Sequence, residues 1–416
     1  MKALLKTIRS VLRNRRFWIV LAVWAASLLF VLFQGGKTSL MLFVMISVLV
    51  IYLIAGGLGG IRRVQGHRNL SAEQEQGETL HAGDQMKVRL HFSVPGFLPM
   101  PYVIIREVMK RHNGETWSFE ESVIPDLRGG GELMFQTPPL ERGRYFFTET
   151  ECVTEDIFGF IEHKGTFHVP GQFHVFPRTV SIPGWKMMDR NSKLAGPQRS
   201  AASRRETTQI NGVRDYVYGD RISRIHWNAT AKTGSWKSKE FEYDSVPKIM
   251  IVLDAISANY ASGSQFELAV STAASLMNYA SRERLCIGLA TAGEQFKMFA
   301  PSEHHSDRQR MMSHLVDVTA DGYGSLLSKL ENRGRFIPSG CLFVLISPQS
   351  DNKTLELLRW VDTHGLTPSH ILVSSSPADK ESTKQGWVSM LKARGTFSCS
   401  VSELQDLPAA IGGGLP

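Results

Sequence analysis

The sequence predicts a multidomain chain: an N-terminal transmembrane helical hairpin, an all-β sandwich-like domain, and a doubly wound α/β domain. Three observations predict it. Two apolar runs without a charged side chain, residues 17–33 and 40–60, stand near the N-terminus. Residues 86–182 alternate at a period of two between breaks rich in Pro and Gly. Beyond Lys248, continuous apolar strands alternate with amphipathic helical stretches.

The hairpin comes first. A hydrocarbon layer about 30 Å thick takes ~17–25 helical residues to cross, so the second run is long enough and the first stands at the lower limit. The connector, residues 34–39 (QGGKTS), has room only for a turn. Lys2, Lys6, Arg9, Arg13, Arg15 and Arg16 precede the pair, Arg62, Arg63 and Arg68 follow it, and the turn holds only Lys37. Cations resist translocation, which predicts a multi-pass protein of the cell membrane with both termini, and everything after residue 70, in the cytoplasm. The competing reading is a cleaved secretory signal. The second run and the cations behind it oppose that reading.

Charge is distributed accordingly. The chain has 47 Lys and Arg against 39 Asp and Glu, a net of +8. Residues 1–70 hold ten of the cations and no acid, leaving 37 against 39 in the rest. The excess lies where it can pair with anionic lipid, at about 1 kcal/mol per residue. No nucleic-acid partner is predicted. Cys152, Cys286, Cys341 and Cys399 are scattered without metal-ligand spacing, as free thiols of a reducing compartment would be.

Residues 71–85 (SAEQEQGETLHAGDQ) form a polar juncture, and the first soluble domain is placed at 71–182. MKVRLHFSV and RYFFTETECV alternate, and YVIIREVMK is rich in β-branched residues. Seven or so short strands suggest a sandwich of immunoglobulin-like size. An open meander or small barrel fits the same pattern. Residues 183–245 combine a linker, with six cations between 183 and 210, and an unusual motif. Residues 246–416 form the second domain: KIMIVLDA, LCIGLATAG, CLFVLISP, HILVSSS and TFSCSV are strands, with helices at 265–284, 307–318, 324–332, 354–364 and 382–393. Strands buried on both faces and alternating with helices describe a mostly parallel sheet whose crevice lies at the strands' carboxyl ends.

The motif, residues 212–242 (GVRDYVYGDRISRIHWNATAKTGSWKSKEFE), interleaves charge with aromatic rings too closely for a simple solvated face. Arg214, Asp220 and Arg224 can form carboxylate–guanidinium forks. Gly219-Asp220 suits a turn, and Trp227 and Trp236 offer faces for packing or cation–π contact. The motif is either a recognition surface for a partner or an internal network clamping one domain to the other.

The spacing of Gly212, Arg214, Tyr216, Gly219, Asp220, Arg224, Ile225, Trp227, Ala231, Lys232, Lys239 and Glu242 resembles the signature of domain-of-unknown-function family 58. The segments RGRYFF (142–147), TEDIFGF (154–160) and VFP (175–177) are similar to further family segments, with Ile157 where proline is usual. The resemblance implies that the second domain is of von Willebrand factor type A-like fold. It also implies that the α/β domain engages a partner, a MoxR-type AAA+ ATPase, in an assembly or chaperone system; the signature residues Gly212 to Glu242 are the candidate partner-binding surface. Such domains often hold Mg²⁺ through Asp-x-Ser-x-Ser and later Thr and Asp residues. Here only Asp254 and Ser325 are in register; Ile256 and Ala258 replace the serines, and Ser347-Pro348-Gln349-Ser350 lacks the aspartate. No cofactor is therefore expected. No phosphate loop, nucleophile elbow or His-Glu-x-x-His is present. The expectation is a membrane-anchored, non-enzymatic adaptor. The alternative is an enzyme using the signature's Asp/Arg/His cluster, with Asp215, Asp220 and His226, on a phosphorylated or glycan-linked substrate near the membrane.

Overall fold

The computed structural model describes residues 15–57, 60–72, 79–96, 100–126, 128–160, 162–187, 204–218, 220, 222–245, 247–333, 337–338, 340–374 and 381–412. It is a mixed helix-and-sheet, multidomain chain with N-terminal helices and several sheets, in two compact units, Met1–Phe176 and Pro177–Pro416.

The first unit opens with helices α1 (Arg15–Gln34) and α2 (Lys37–Gly57). Gly35 and Gly36, at φ of 65° and 93°, make the turn between them; both angles favour glycine. The Trp24 indole N–H donates to the Ser47 hydroxyl at 3.0 Å, and the Trp24 and Phe43 rings pack 5.9 Å apart. Among the described residues one helix, α2, is long and apolar enough to cross a bilayer, over Lys37–Ile54 with a mean hydropathy of 2.2. The apolar part of α1, Trp18–Gln34, is shorter.

A 3₁₀ turn, Gly60–Arg63, follows, and then ten strands. β1 (Gln65–Ala72), β3 (Met86–Ser93) and β6 (Gly130–Gln136) form one sheet in the order β1-β3-β6. The other sheet runs β2 (Leu80–His81), β10 (Gln172–Phe176), β7 (Gly143–Phe147), β4 (Val103–Arg111), β8 (Thr150–Glu155), β9 (Glu162–Phe167), with β5 (Thr116–Val123) also on β4. Alternation drives it. Met86, Val88, Leu90 and Phe92 of β3 point inward and meet Val103, Ile105, Met109, Tyr145 and Cys152 from the other sheet. The sheets thus share one interior, as a sandwich does. Burial pushes the Cys152 thiol up to about 12, consistent with a core hydrophobe.

Three expectations change. The domain starts at Gln65, not 71, because the polar stretch QGHRNLSA pairs along β3 from Gln65↔Ser93 to Ala72↔Met86. Among the described residues the strands number ten in place of seven or so. Arg68, counted among the cations flanking the helices, is buried. Its guanidinium donates to Glu107 at 2.7 Å and to the Val169 carbonyl at 2.9 Å, and lies 4.1 Å over the Phe147 ring. The alternation of β4 turns Glu107 inward with its apolar neighbours, and that carboxylate requires a cation beside it.

The second unit contains a two-stranded ribbon, β11 (Arg204–Asp215) with β12 (Lys237–Ser245), enclosing the short helix α3 (Trp227–Thr233). A six-stranded sheet follows in the order β15 (Phe296–Ser302), β14 (Cys286–Ala292), β13 (Lys248–Asp254), β16 (Leu342–Ser347), β17 (Thr367–Val373), β18 (Phe397–Val401). All pairs are parallel except β15 with β14. Ile249, Ile251 and Leu253 of β13 pack under α4 (Gly263–Arg282), α5 (His305–Asp317) and α9 (Leu407–Gly412). Met250 and Val252, on the opposite face, meet α6 (Leu326–Arg333), α7 (Asn352–Thr363) and α8 (Glu381–Ala393). The sheet is therefore doubly wound. Two expected bounds move here: Ile182, placed at the end of the β domain, and Trp185 and Met187, placed in the linker, lie in the α4 face of this core, and the Arg282 guanidinium holds the Ile182 carbonyl.

Candidate functional site

Two places gather the residues singled out by sequence. On the ribbon, Asp215 stands opposite Lys237, and their side chains pair at 2.6 Å. The chain then turns through residues 216–226. The Asp220 N–H donates to the Val217 carbonyl at 3.0 Å and closes a turn where Gly219-Asp220 predicts one; Gly219 itself lies outside the described residues. Arg214 reaches over this turn with a two-pronged fork, both nitrogens 2.8 Å from the Asp220 carboxylate. The Val217 N–H donates to the same carboxylate at 3.2 Å, and the Tyr216 hydroxyl to the Asp220 carbonyl at 3.2 Å. The Arg214 hydrogen bonds, reinforced by the Val217 N–H, hold the Asp220 carboxyl below its usual range. Arg214 is 40 % exposed and Asp220 14 %.

His226 caps α3, its Nδ1 accepting the Ala229 N–H at 3.1 Å. Gly234, at φ 69°, ends the helix, and the Lys237 N–H returns to the Thr230 hydroxyl at 3.0 Å. Trp236 connects the aromatic residues: its ring centroid is 6.0 Å from Tyr216 and 6.0 Å from Trp227. Val217, Tyr218, Ile222, Trp227 and Trp236 are exposed. Arg214 and Asp220 form a fork of the kind read from the sequence, Tyr216 stands on the same turn, and Trp227 is reached through Trp236. Arg224 ends the 3₁₀ turn Ile222–Arg224 half-buried, and the fork on Asp220 is made by Arg214. Lys232 is exposed on the last turn of α3, Lys239 stands opposite Val213, and Gly212 opposite Glu240. Glu242 lies on β12, with its side chain outside the described atoms.

The second place is the carboxyl end of β13, where the strand order reverses. Asp254 is buried there. One carboxylate oxygen accepts the Ile256 N–H at 3.0 Å; the other accepts the Asn259 amide at 2.7 Å and the Ser347 hydroxyl at 2.9 Å. Burial raises its carboxyl above the usual range, against the pull of these donors. Ser325 is exposed on another loop, and its carbonyl accepts the Ser328 hydroxyl. Asp351 caps α7 through the Thr354 N–H and hydroxyl. Asn259 and Ser347 were missed as partners of Asp254. The sequence offered only their polarity, five and 93 residues away.

Among the described residues no cluster of three or more His, Cys, Asp or Glu is placed to hold a metal. A groove of about 470 Å³ runs past Ser264, Gln265, Ser374 and Glu403, and none of the residues discussed above lines it.

Comparison with known proteins adds the following. The chain is 24 % identical over 307 residues to the uncharacterized protein YeaD of Bacillus subtilis (strain 168), covering 73 % of this chain and 74 % of that protein. Solved structures include an ApaA protein from Bordetella pertussis, 11 % identical, covering 27 % of this chain and 93 % of that one at a TM-score of 0.20. Proximal thread matrix protein 1 from the mussel byssus is 10 % identical, covering 40 % of this chain and 46 % of that one at a TM-score of 0.27. Residues 212–401, spanning the ribbon motif and most of the α/β sheet, match the family described as protein of unknown function DUF58.

Proposed function

We propose that the chain is a non-enzymatic, membrane-anchored scaffold. In this reading α1 and α2 cross the bilayer as a hairpin with both termini in the cytoplasm. The α/β domain is of von Willebrand factor type A-like fold, a reading supported by the doubly wound order with one antiparallel edge strand and by Asp254 at the switch point. The ribbon is the partner surface. One observation carries this: Tyr218 and Ile222 are exposed on and beside the turn held by the Arg214–Asp220 fork, and Trp227 and Trp236 are exposed at the start of α3 and just beyond its end. Rigid, solvent-facing aromatic residues are what interfaces use as anchors. The family resemblance implies a MoxR-type AAA+ ATPase as the partner and assembly or chaperone-like work as the task.

An enzyme here would need Asp215, Asp220 or His226 available as acid or base. Each is already engaged: Asp215 by Lys237, Asp220 by Arg214, and the His226 Nδ1 by a helix N–H. The scaffold is also proposed to work without metal. Mg²⁺ wants oxygen donors in near-octahedral array. The Asp254 carboxylate is instead taken up by the Ile256 N–H, the Asn259 amide and the Ser347 hydroxyl, which supports the reading without metal.

The test is capture of the same organism's MoxR-type ATPase by the full-length chain in membranes. Replacing Trp227 and Trp236 together by alanine is expected to weaken capture by roughly tenfold or more, as losing anchor residues does. Both side chains are exposed, so the melting midpoint is expected to stay in place. Failure of the unaltered chain to capture the ATPase, or indifference to both substitutions, overturns the proposal.

A further inference from the structure

The loop joining β8 to β9 carries two large apolar side chains without cover, Ile157 at 70 % and Phe158 at 57 % exposure. It is fixed to the helices. The Ile157 N–H donates to the Tyr52 hydroxyl at 3.3 Å, and the Phe158 ring meets the Tyr52 ring edge-on at 6.0 Å. Phe160 packs on buried Leu53, together with Val20 of α1 and Leu49. The chain leaving α2 is seated on the same β-sheet: a Cβ on Gly165 of β9 would stand 1.8 Å from the Ile61 carbonyl oxygen. The loop therefore keeps its height against the helix.

That height can be estimated. Tyr52 stands two residues inside the end of the apolar span Lys37–Ile54, about 3 Å along the axis. The headgroup layer on each side of a bilayer is about 5–7 Å thick beyond the hydrocarbon. On the proposed crossing, Ile157 and Phe158, which contact Tyr52, thus lie near the boundary between hydrocarbon and headgroups, beside exposed apolar residues of α2 such as Ile51 and Ile54. Arg62 and Arg63 are exposed on the turn that leaves the helix.

We propose that this loop is a membrane-interface anchor: Ile157 and Phe158 insert among phospholipid headgroups, with Arg62 and Arg63 toward the phosphates. The β domain is then held on the bilayer surface instead of swinging on a tether. Shallow insertion of apolar side chains backed by cations is how interfacial segments bind anionic lipid. The bilayer is the occupant because the loop's apolar surface continues directly into the flank of the apolar helix. This rests on the proposed crossing by α2.

The full chain is reconstituted in phosphatidylcholine–phosphatidylglycerol vesicles, with half-buried Cys286 replaced by serine so that the three buried thiols stay silent. Spin labels are placed singly through Met45→Cys in mid-α2, Ile157→Cys on the loop, and Met134→Cys on an outward position of β6. Collision with oxygen is compared with collision with a water-soluble nickel chelate. Labels at 45 and 157 are expected to favour oxygen several-fold over the label at 134, with 157 the shallower of the two. A deep label at 45 with a water-exposed label at 157 overturns the loop anchor and leaves the membrane crossing intact. A label at 157 shielded from both reagents means protein covers the loop and also overturns it. A water-exposed label at 45 removes the crossing, and the anchor with it.

Discussion

Arg68–Glu107 in the β-sandwich and Arg214–Asp220 on the ribbon are the same chemistry in opposite surroundings. The first pair is 1 % exposed on both sides and has further partners: the Val169 carbonyl, the Phe147 face, and the Thr150 hydroxyl on the second Glu107 oxygen. It joins strands far apart in sequence. The second pair spans six residues, stands partly in water, and shapes one turn. A buried charge left without its partner is costly, whereas an exposed one is rehydrated at little loss. The first pair therefore governs whether a domain stands, and the second governs only how a surface is presented.

The largest expected effect tests the buried side of this contrast. Glu107→Ala should lower the unfolding free energy of the β domain by about 3–5 kcal/mol, because Arg68 stays buried without its carboxylate. Replacing both residues together, Arg68→Met with Glu107→Leu, should restore most of it. Urea melts followed by β-sheet circular dichroism decide the matter, and a tolerant Glu107→Ala would erase the contrast.

A buried histidine extends the contrast to pH. His370 on β17 accepts the Trp387 indole N–H at 3.0 Å, and burial pulls it down from 6.5 to about 4. The folded state keeps it neutral while the unfolded chain takes up a proton. Its contribution is complete above pH 6.5 and is lost as pH falls toward 4, about 3 kcal/mol in all. His370→Gln should flatten the pH dependence of the α/β unit's melting midpoint in that window. An unchanged slope would show that other groups set it.

Asp254→Ala comes next, at about 1–3 kcal/mol, since it strands the Ile256 N–H, the Asn259 amide and the Ser347 hydroxyl. In the unaltered chain, millimolar Mg²⁺ should leave the α/β midpoint in place; a rise of several degrees would mean that the ion binds the folded state.

The smallest global effect belongs to Asp220→Asn. Its carboxyl is lowered by Arg214, so whatever it contributes is present above pH 3.8 and lost as pH falls below that value. The expected result is an unchanged melting midpoint with faster amide exchange at Val217 and Asp220. A drop like that of Glu107→Ala would make the two pairs equivalent.

The helices, the α/β alternation and the Gly219-Asp220 turn were legible because each depends on neighbours within a few residues. The Arg214–Asp220 pairing was legible for the same reason, since both lie within one turn, whereas the Tyr216 hydroxyl's bond to the Asp220 carbonyl was not. β1 was not legible: QGHRNLSA has no apolar row of its own and is a strand because β3 offers it an edge. The role of Arg68 was hidden by its position behind the helices, where any cation serves the same topological argument. Trp185, in a stretch resembling linker, is buried against Tyr279 only once α4 is in place.

Local order thus came from the amino-acid order alone: apolar runs long enough for helices, a period of two for strands, glycine where φ turns positive. Folding in three dimensions decided which charges are buried together and which donors surround Asp254. Those partners are separated by 39 and 93 residues, and only strand register and sheet order bring them within hydrogen-bond reach.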